Sequence, residues 1–448
     1  MDTEEGRIGI GKKKKKTPAG ERKKTRTSPT SKHKKNPKNP KSFSLAALRS
    51  ASRAALLSPS TRMPTTRVES FRFTDISPVL ERPAGAAAVA KSDDESSLAA
   101  VVAARALEGA AATLVVVDGA LRADLSKGIT SNKRVVIGEL ADDNSEARSL
   151  LGRASKERGG PFATLNGGVA SSAVVVAVAA EVSLPEPIHV LYVSSSSSSS
   201  SASSSSPSIS APRLLVSLGA GAEATVVEEF CGSDASAASS SSRDGGASAS
   251  TSTSSSTSSS SNSNQRLNVP VAEFFLSSGA TLNHSYVELE PRGTWHAKET
   301  FVDQSEDSTY KLTEARTGGT ASISRADFDV KQLGPSTSTS MRSFILAGED
   351  QLVDLHTRLS MDFPDGEADQ LHKAIAASAT SRAVFDGGVR VGRQAQRTDA
   401  QQLSRNLLLS RRATVNVKPN LQIVADDVKC THGCAVSDLE EDQMFYFK

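Results

Sequence analysis

From about Phe162 to the end of the chain, apolar runs of four to seven residues succeed one another, punctuated by Gly, Asn, Asp or Pro. FATLNGG (162–168) reads as the first of them, and AVVVAVAAEVSLPEPIHVLYV (173–193), LLVSLGAGAEATVVEEF (214–230) and VAEFFLSSGATLNHSYVELE (271–290) continue the series. Most neighbouring runs have no helical pattern of ten or more residues between them, which argues against a parallel sheet crossed by helices. Many short strands of even spacing leave a sandwich, a propeller or a β-solenoid, and periodicity does not choose among the three. The fold class is mostly β.

Ahead of this body, residues 63–160 form a second zone. Alanine-rich, helix-favouring sequence runs from Ser97 to Ala112, strand-like LVVVDG (114–119) and RVVIGEL (134–140) follow, and a helical stretch lies near Glu146 to Glu157. A small N-terminal helical or α/β lobe is expected there. Two serine-rich tracts, Ser194 to Ser210 and Gly232 to Asn264, interrupt the strand series. Neither buries enough apolar surface to offset its ordering entropy, so both read as disordered insertions at turns.

Charge divides the chain. Residues 1–62 hold 18 Lys and Arg against 4 Asp and Glu, a net of +14, whereas the whole chain carries only +3. The remainder is therefore acidic, at −11. An acidic body argues against nucleic acid as its partner, because phosphate binding needs a cationic surface. The leader turns from lysines to SFSLAALRSASRAALLSPSTR (42–62), rich in Ser, Ala and Arg and able to form an amphipathic helix, which is the composition of an organelle transit peptide. A basic nuclear or nucleic-acid-binding tail is the rival reading. Gly6, Gly11 and Lys12 imitate the spacing of a phosphate loop, but Lys13 stands where Ser or Thr would reach magnesium and no strand precedes it. No run of eighteen apolar residues occurs, so no membrane-spanning helix is expected. Three cysteines, Cys231, Cys430 and Cys434, make no disulfide framework for 448 residues and suit a reducing compartment.

The candidate chemistry lies near the carboxyl end. Cys430 and His432 are two apart, and alternate residues of a strand share a face. A thiol and an imidazole projecting together suit a soft or borderline metal. The bland alternative is a buried Cys beside a hydrogen-bonded His. His284, His296, His356 and His372 are scattered without ligand spacing and read as structural. Asp426 and Asp427 are adjacent, so on a strand they face opposite ways and make no carboxylate pair; a turn or polar rim is expected.

Three blocks in order, NLLLS (406–410), KPNLQIVADDVKCTHG (418–433) and DLEEDQMFY (438–446), resemble the closing segment of the SufB/SufD family of iron–sulfur cluster assembly scaffolds. Gly433 after the histidine resembles the SufD branch, and PTTRVESFRFTDISPV (64–79) resembles the opening segment of SufD-type proteins. The resemblance implies a right-handed parallel β-helix over 161–436, and the start of a C-terminal helical lobe at 437–448 that stops short at Lys448. It also implies a non-catalytic scaffold that holds an iron–sulfur cluster transiently, with His432 and, secondarily, Cys430 as ligands at a junction with a SufB-like subunit. Cys434 is expected to fill space. A SufC-like ABC ATPase would dock on the helical lobe, and the location would be the plastid stroma. A carbohydrate-active β-solenoid enzyme and a degenerate, non-functional relative are the alternative readings.

Overall fold

In a computed structural model, the residues described are 44–58, 62–77, 85–86, 95–141, 143–195, 208–233, 266–291, 293–317, 322–438 and 441–446. The leader through residue 43, with its phosphate-loop imitation, and most of both serine tracts fall outside them. Strands alternate between two sheets, one of ten strands and one of thirteen. Within each sheet, a strand pairs in parallel with the one a full coil away: Ile323 aligns with Leu352, Leu352 with Arg382, and Arg382 with Thr414, steps of 29, 30 and 32 residues. The chain is thus a parallel β-solenoid of about six turns, which resolves the three-way choice left by periodicity.

Side-chain alternation builds its interior. Along Thr281–Leu289, Leu282, His284, Tyr286 and Glu288 are buried and point inward, while the residues between them are partly exposed. Successive coils stack these positions into one continuous apolar core running from Ala112 to Ala425. Strands Val271–Leu276 and Thr294–Gln304 are buried nearly throughout, since short helices cover their outer side.

One corner of the coil is built to a strict pattern. Glu181, Gly221, Gly279, Asp307, Ser336, Asp365 and Arg397 all have positive φ, and each donates its backbone N–H to a carbonyl of the following coil. Left-handed backbone is uncommon away from glycine, so its recurrence once per coil marks a required turn. The opposite corner is irregular in length. It includes both serine tracts, which lie in sequence between Ile188–Ser194 and Ser208–Ser210, and between Glu223–Gly232 and Arg266–Asn268.

Three sequence expectations change here. FATLNGG is a helix, Pro161–Val169, with Pro at its first position. Its free N–H groups are met from afar: the Glu299 carboxylate accepts from Gly160 N at 3.0 Å and Ala163 N at 2.9 Å. Glu273 does the same for the neighbouring helix through Gly152 N and Ser155 N. The 63–160 zone does contain the expected helices and strands, but its strands extend the solenoid's own sheets. Ala112–Val117 pairs in parallel with Ile188–Ser194, and Val135–Glu139 pairs antiparallel with Val174–Val178.

Lastly, part of the basic leader is folded. Leu45–Leu56 is an amphipathic helix capped by Ser44 that packs against Pro161–Val169. Arg49 donates to the carbonyls of Ala170 and Ser171 at 2.5 and 2.6 Å, and Arg53 to that of Gly168 at 2.9 Å, serving a helix C-terminus with cations. Close approach depends on Gly167, where an added Cβ would stand 2.3 Å from Ser52 Oγ. Gly167→Val is therefore expected to unseat this helix, at about 1–3 kcal/mol, and to expose Arg49 and Arg53 to trypsin. Unchanged cleavage kinetics at those two sites would contradict the docking.

Residues 64–77 of the opening segment run over the outer face of the larger sheet. Arg325 stacks on Phe71 at 4.0 Å and donates to Ser70 O at 2.6 Å, Thr74 Oγ1 donates to Asp354 Oδ2 at 2.5 Å, and Lys418 pairs with Glu69.

Candidate metal centre at the open end of the solenoid

The amino-terminal end of the solenoid is closed by antiparallel strands, whereas among the described residues nothing covers the last coil. Thr414–Ile423 and Val428–Asp438 each hydrogen-bond to a neighbour on one side only, at the edges of the two sheets. Inward-facing positions show the consequence. Val391 is fully buried, but its register partner one coil on, Ile423, is 44% exposed; Val436 is 47% exposed above buried Asn406.

Cys430 and His432 sit on this terminal strand. Ala400 and Gln402, their register partners, are both buried interior residues, so Cys430 and His432 share the interior side of the last rung, as the spacing predicted. Cys434 aligns with buried Ser404 and belongs to the same side. Cys430 is half-buried against the core, while His432 and Cys434 are exposed at the open end. Partial burial and the nearby Asp399 carboxylate push the Cys430 thiol up. Metal capture by its sulfur would therefore have to displace a proton.

Sulfur and imidazole donors suit iron or zinc. Alternate residues on a strand are about 6.6 Å apart, so two neighbours of the set can converge on one ion and all three cannot. No group of three or more potential ligands assembles among the described residues. By itself the donor set fits only part of a metal or cluster site.

His284, His296, His356 and His372 are buried, and sequence reading missed the polar partners around them. Within the solenoid, Glu228 accepts hydrogen bonds from Tyr192 Oη and Lys298 Nζ, each at 3.0 Å, and lies 3.0 Å from His284 Nε2. Burial alone would push Glu228 up, yet Lys298 and the His284 hydrogen bond hold it down at about 2. His296 contacts Tyr286 and Glu290, and His372 bonds Ser343 while stacking on Phe385. A second ladder climbs towards the open end: Thr357 donates to Gln370 Oε1 at 3.2 Å, and Gln402 Nε2 donates to the same oxygen at 2.9 Å. Asp426 and Asp427 lie in the exposed bend between the last two strands, where Asp427 O accepts from Arg397 N.

The chain is thus a parallel β-solenoid with buried charges in its interior and a thiol–imidazole pair on a last rung that no described residue covers. Residues 241–448 match the family described as "SUF system FeS cluster assembly, SufBD core domain". The chain is 36% identical to protein ABCI7, chloroplastic, of Arabidopsis thaliana, over 91% of this chain and 78% of that one. It is 29% identical to the iron–sulfur cluster assembly SufBD family protein slr0076 of Synechocystis, over 88% and 80%. Identity to the iron–sulfur cluster assembly protein SufD of Escherichia coli is 31%, over 39% and 40%. The chain belongs to the SufBD family of the SUF iron–sulfur cluster assembly system.

Proposed function

We propose that this protein is a SufD-like, non-catalytic scaffold subunit that pairs with a SufB-like chain through the open end of its solenoid. The observation that carries the reading is the placement of Cys430 and His432 on the interior side of an uncovered rung. Two unpaired strand edges and inward apolar side chains left in water favour a partner that continues the solenoid or caps it. His432 would be the ligand this chain contributes to a cluster held as cargo, with Cys430 second; thiolates or carboxylates of the SufB-like subunit would complete the set. ATP hydrolysis would belong to a SufC-like ATPase in the same assembly. Among the described residues no helix is long and apolar enough to cross a membrane.

Relatives named chloroplastic support a plastid location, and the stroma is where a SUF scaffold would work. The docked helix limits any removable leader: cleavage beyond Ser44 would strip the cations from the carbonyls of Gly168, Ala170 and Ser171.

His432→Ala is expected to abolish cluster accumulation, read from visible absorption, on the complex reconstituted with its SufB-like and SufC-like partners. Complex formation on a sizing column should be retained. Wild-type cluster loading by the variant complex would refute the assignment.

A further inference from the structure

We propose that Gln402 is a positioning residue that fixes the His432 imidazole by accepting one of its ring N–H groups, leaving the other nitrogen to face the incoming metal. The inference rests on the reading of His432 as a ligand. Gln370, Gln402 and His432 are register partners on three successive rungs, all on the interior side. Rungs are about 4.8 Å apart, so the side chains of Gln402 and His432 are immediate neighbours.

The Gln402 amide turns its nitrogen towards the core. Its Nε2 donates to Gln370 Oε1, which is itself anchored by Thr357 Oγ1. Donation towards the core leaves Gln402 Oε1 as the free end, and this oxygen is buried without a hydrogen-bond partner. Buried carbonyl oxygens without a donor are uncommon and call for an explanation. The seat is also shaped for the amide: a Cβ at Gly387 would lie 2.4 Å from Gln402 Nε2. Of the interior residues beside Gln402 on its strand, Ala400 offers no side-chain acceptor, and Ser404 Oγ already accepts from Asn406 Nδ2 at 3.0 Å. Gln402 Oε1 is thus the acceptor left for the imidazole above it. Metal-bound histidines usually give their second N–H to a carbonyl or carboxylate, which sets the tautomer and the ring plane.

The test uses the full chain labelled with ¹⁵N-histidine, reading the His432 tautomer from its ring nitrogen shifts, with Co²⁺ as the metal probe. Wild type should show one neutral tautomer. Gln402→Met keeps the volume but removes the acceptor; it should mix the tautomers and weaken Co²⁺ binding about 10–100-fold. Gln402→Glu, which restores an acceptor, should restore the single tautomer. Gly387→Ala, which pushes the amide off its seat, gives a second route to the same loss if the Met variant does not fold. Ring shifts identical to wild type in both Gln402→Met and Gly387→Ala would overturn the proposal. Undiminished Co²⁺ binding by His432→Ala would instead remove the ligand reading of His432, and the positioning role with it, even if the tautomer still responded to Gln402.

Discussion

Glu228→Ala should lower stability by about 3–5 kcal/mol, seen as a large drop in the urea midpoint at neutral pH. Glu228 is fully buried between the sheets and, among the described residues, is the carboxylate paired with Lys298, whose Nζ lies 2.9 Å from Oε1. Truncation would strand an ammonium that is itself almost fully buried, with the rings of Phe230 and Tyr286 at 5.5 and 5.4 Å as its remaining cover. His284 Nε2 and Tyr192 Oη would lose their acceptor together. Burying a pair is weakly stabilising at best, whereas removing half of one is severe. The double variant Glu228→Leu with Lys298→Met should accordingly recover most of the loss. A loss in the double variant equal to that of Glu228→Ala would show that the charges are not coupled as their geometry indicates.

Acidification is the second test. Burial, with the Arg316 guanidinium adding to it, lowers the His372 imidazole from 6.5 to about 3. In the unfolded chain the same ring protonates near 6.5. Between those values the unfolded state binds the proton and the folded state refuses it, so stability falls as pH falls from 6.5 towards 3. Each pH unit across that window is worth up to about 1.4 kcal/mol. His372→Gln, which can still hydrogen-bond to Ser343, should flatten this slope while lowering stability modestly at pH 7 through lost stacking on Phe385. Urea midpoints from pH 7 to pH 4 would decide; parallel slopes for the two proteins would reject His372 as the source. Glu299 opposes this trend. Burial raises it to about 7, so its contribution is present at low pH and is lost as pH rises through that value.

Much of the solenoid could be read from the sequence because alternation and turn residues are local signals. The shared face of Cys430 and His432 followed from spacing alone, and the register with Ala400 and Gln402 adds which side that face takes. The misread segments depend on distant partners. FATLNGG has a strand's apolar run, but its helix is capped by Glu299, 136 residues from Ala163. Leu45–Leu56 has the amphipathic pattern of a targeting peptide, and only Gly167 and Gly168, far along the chain, show where it packs. Glu228 and Lys298 look like ordinary outward residues in VVEEF and HAKET; their inward direction depends on strand phase, which a single charged residue does not reveal.

The left-handed corner has an evolutionary corollary. That corner absorbs small changes in length, from a step of 5 residues between Leu276 and Thr281 to one of 8 between the aligned positions Val391 and Asp399, while its amide-to-carbonyl bond recurs on each coil. Both long insertions, the serine tracts, lie in sequence at the opposite seam. A tag or reporter spliced into that seam should leave the stacking intact, while the same cargo placed beside Ser336 or Asp365 should not.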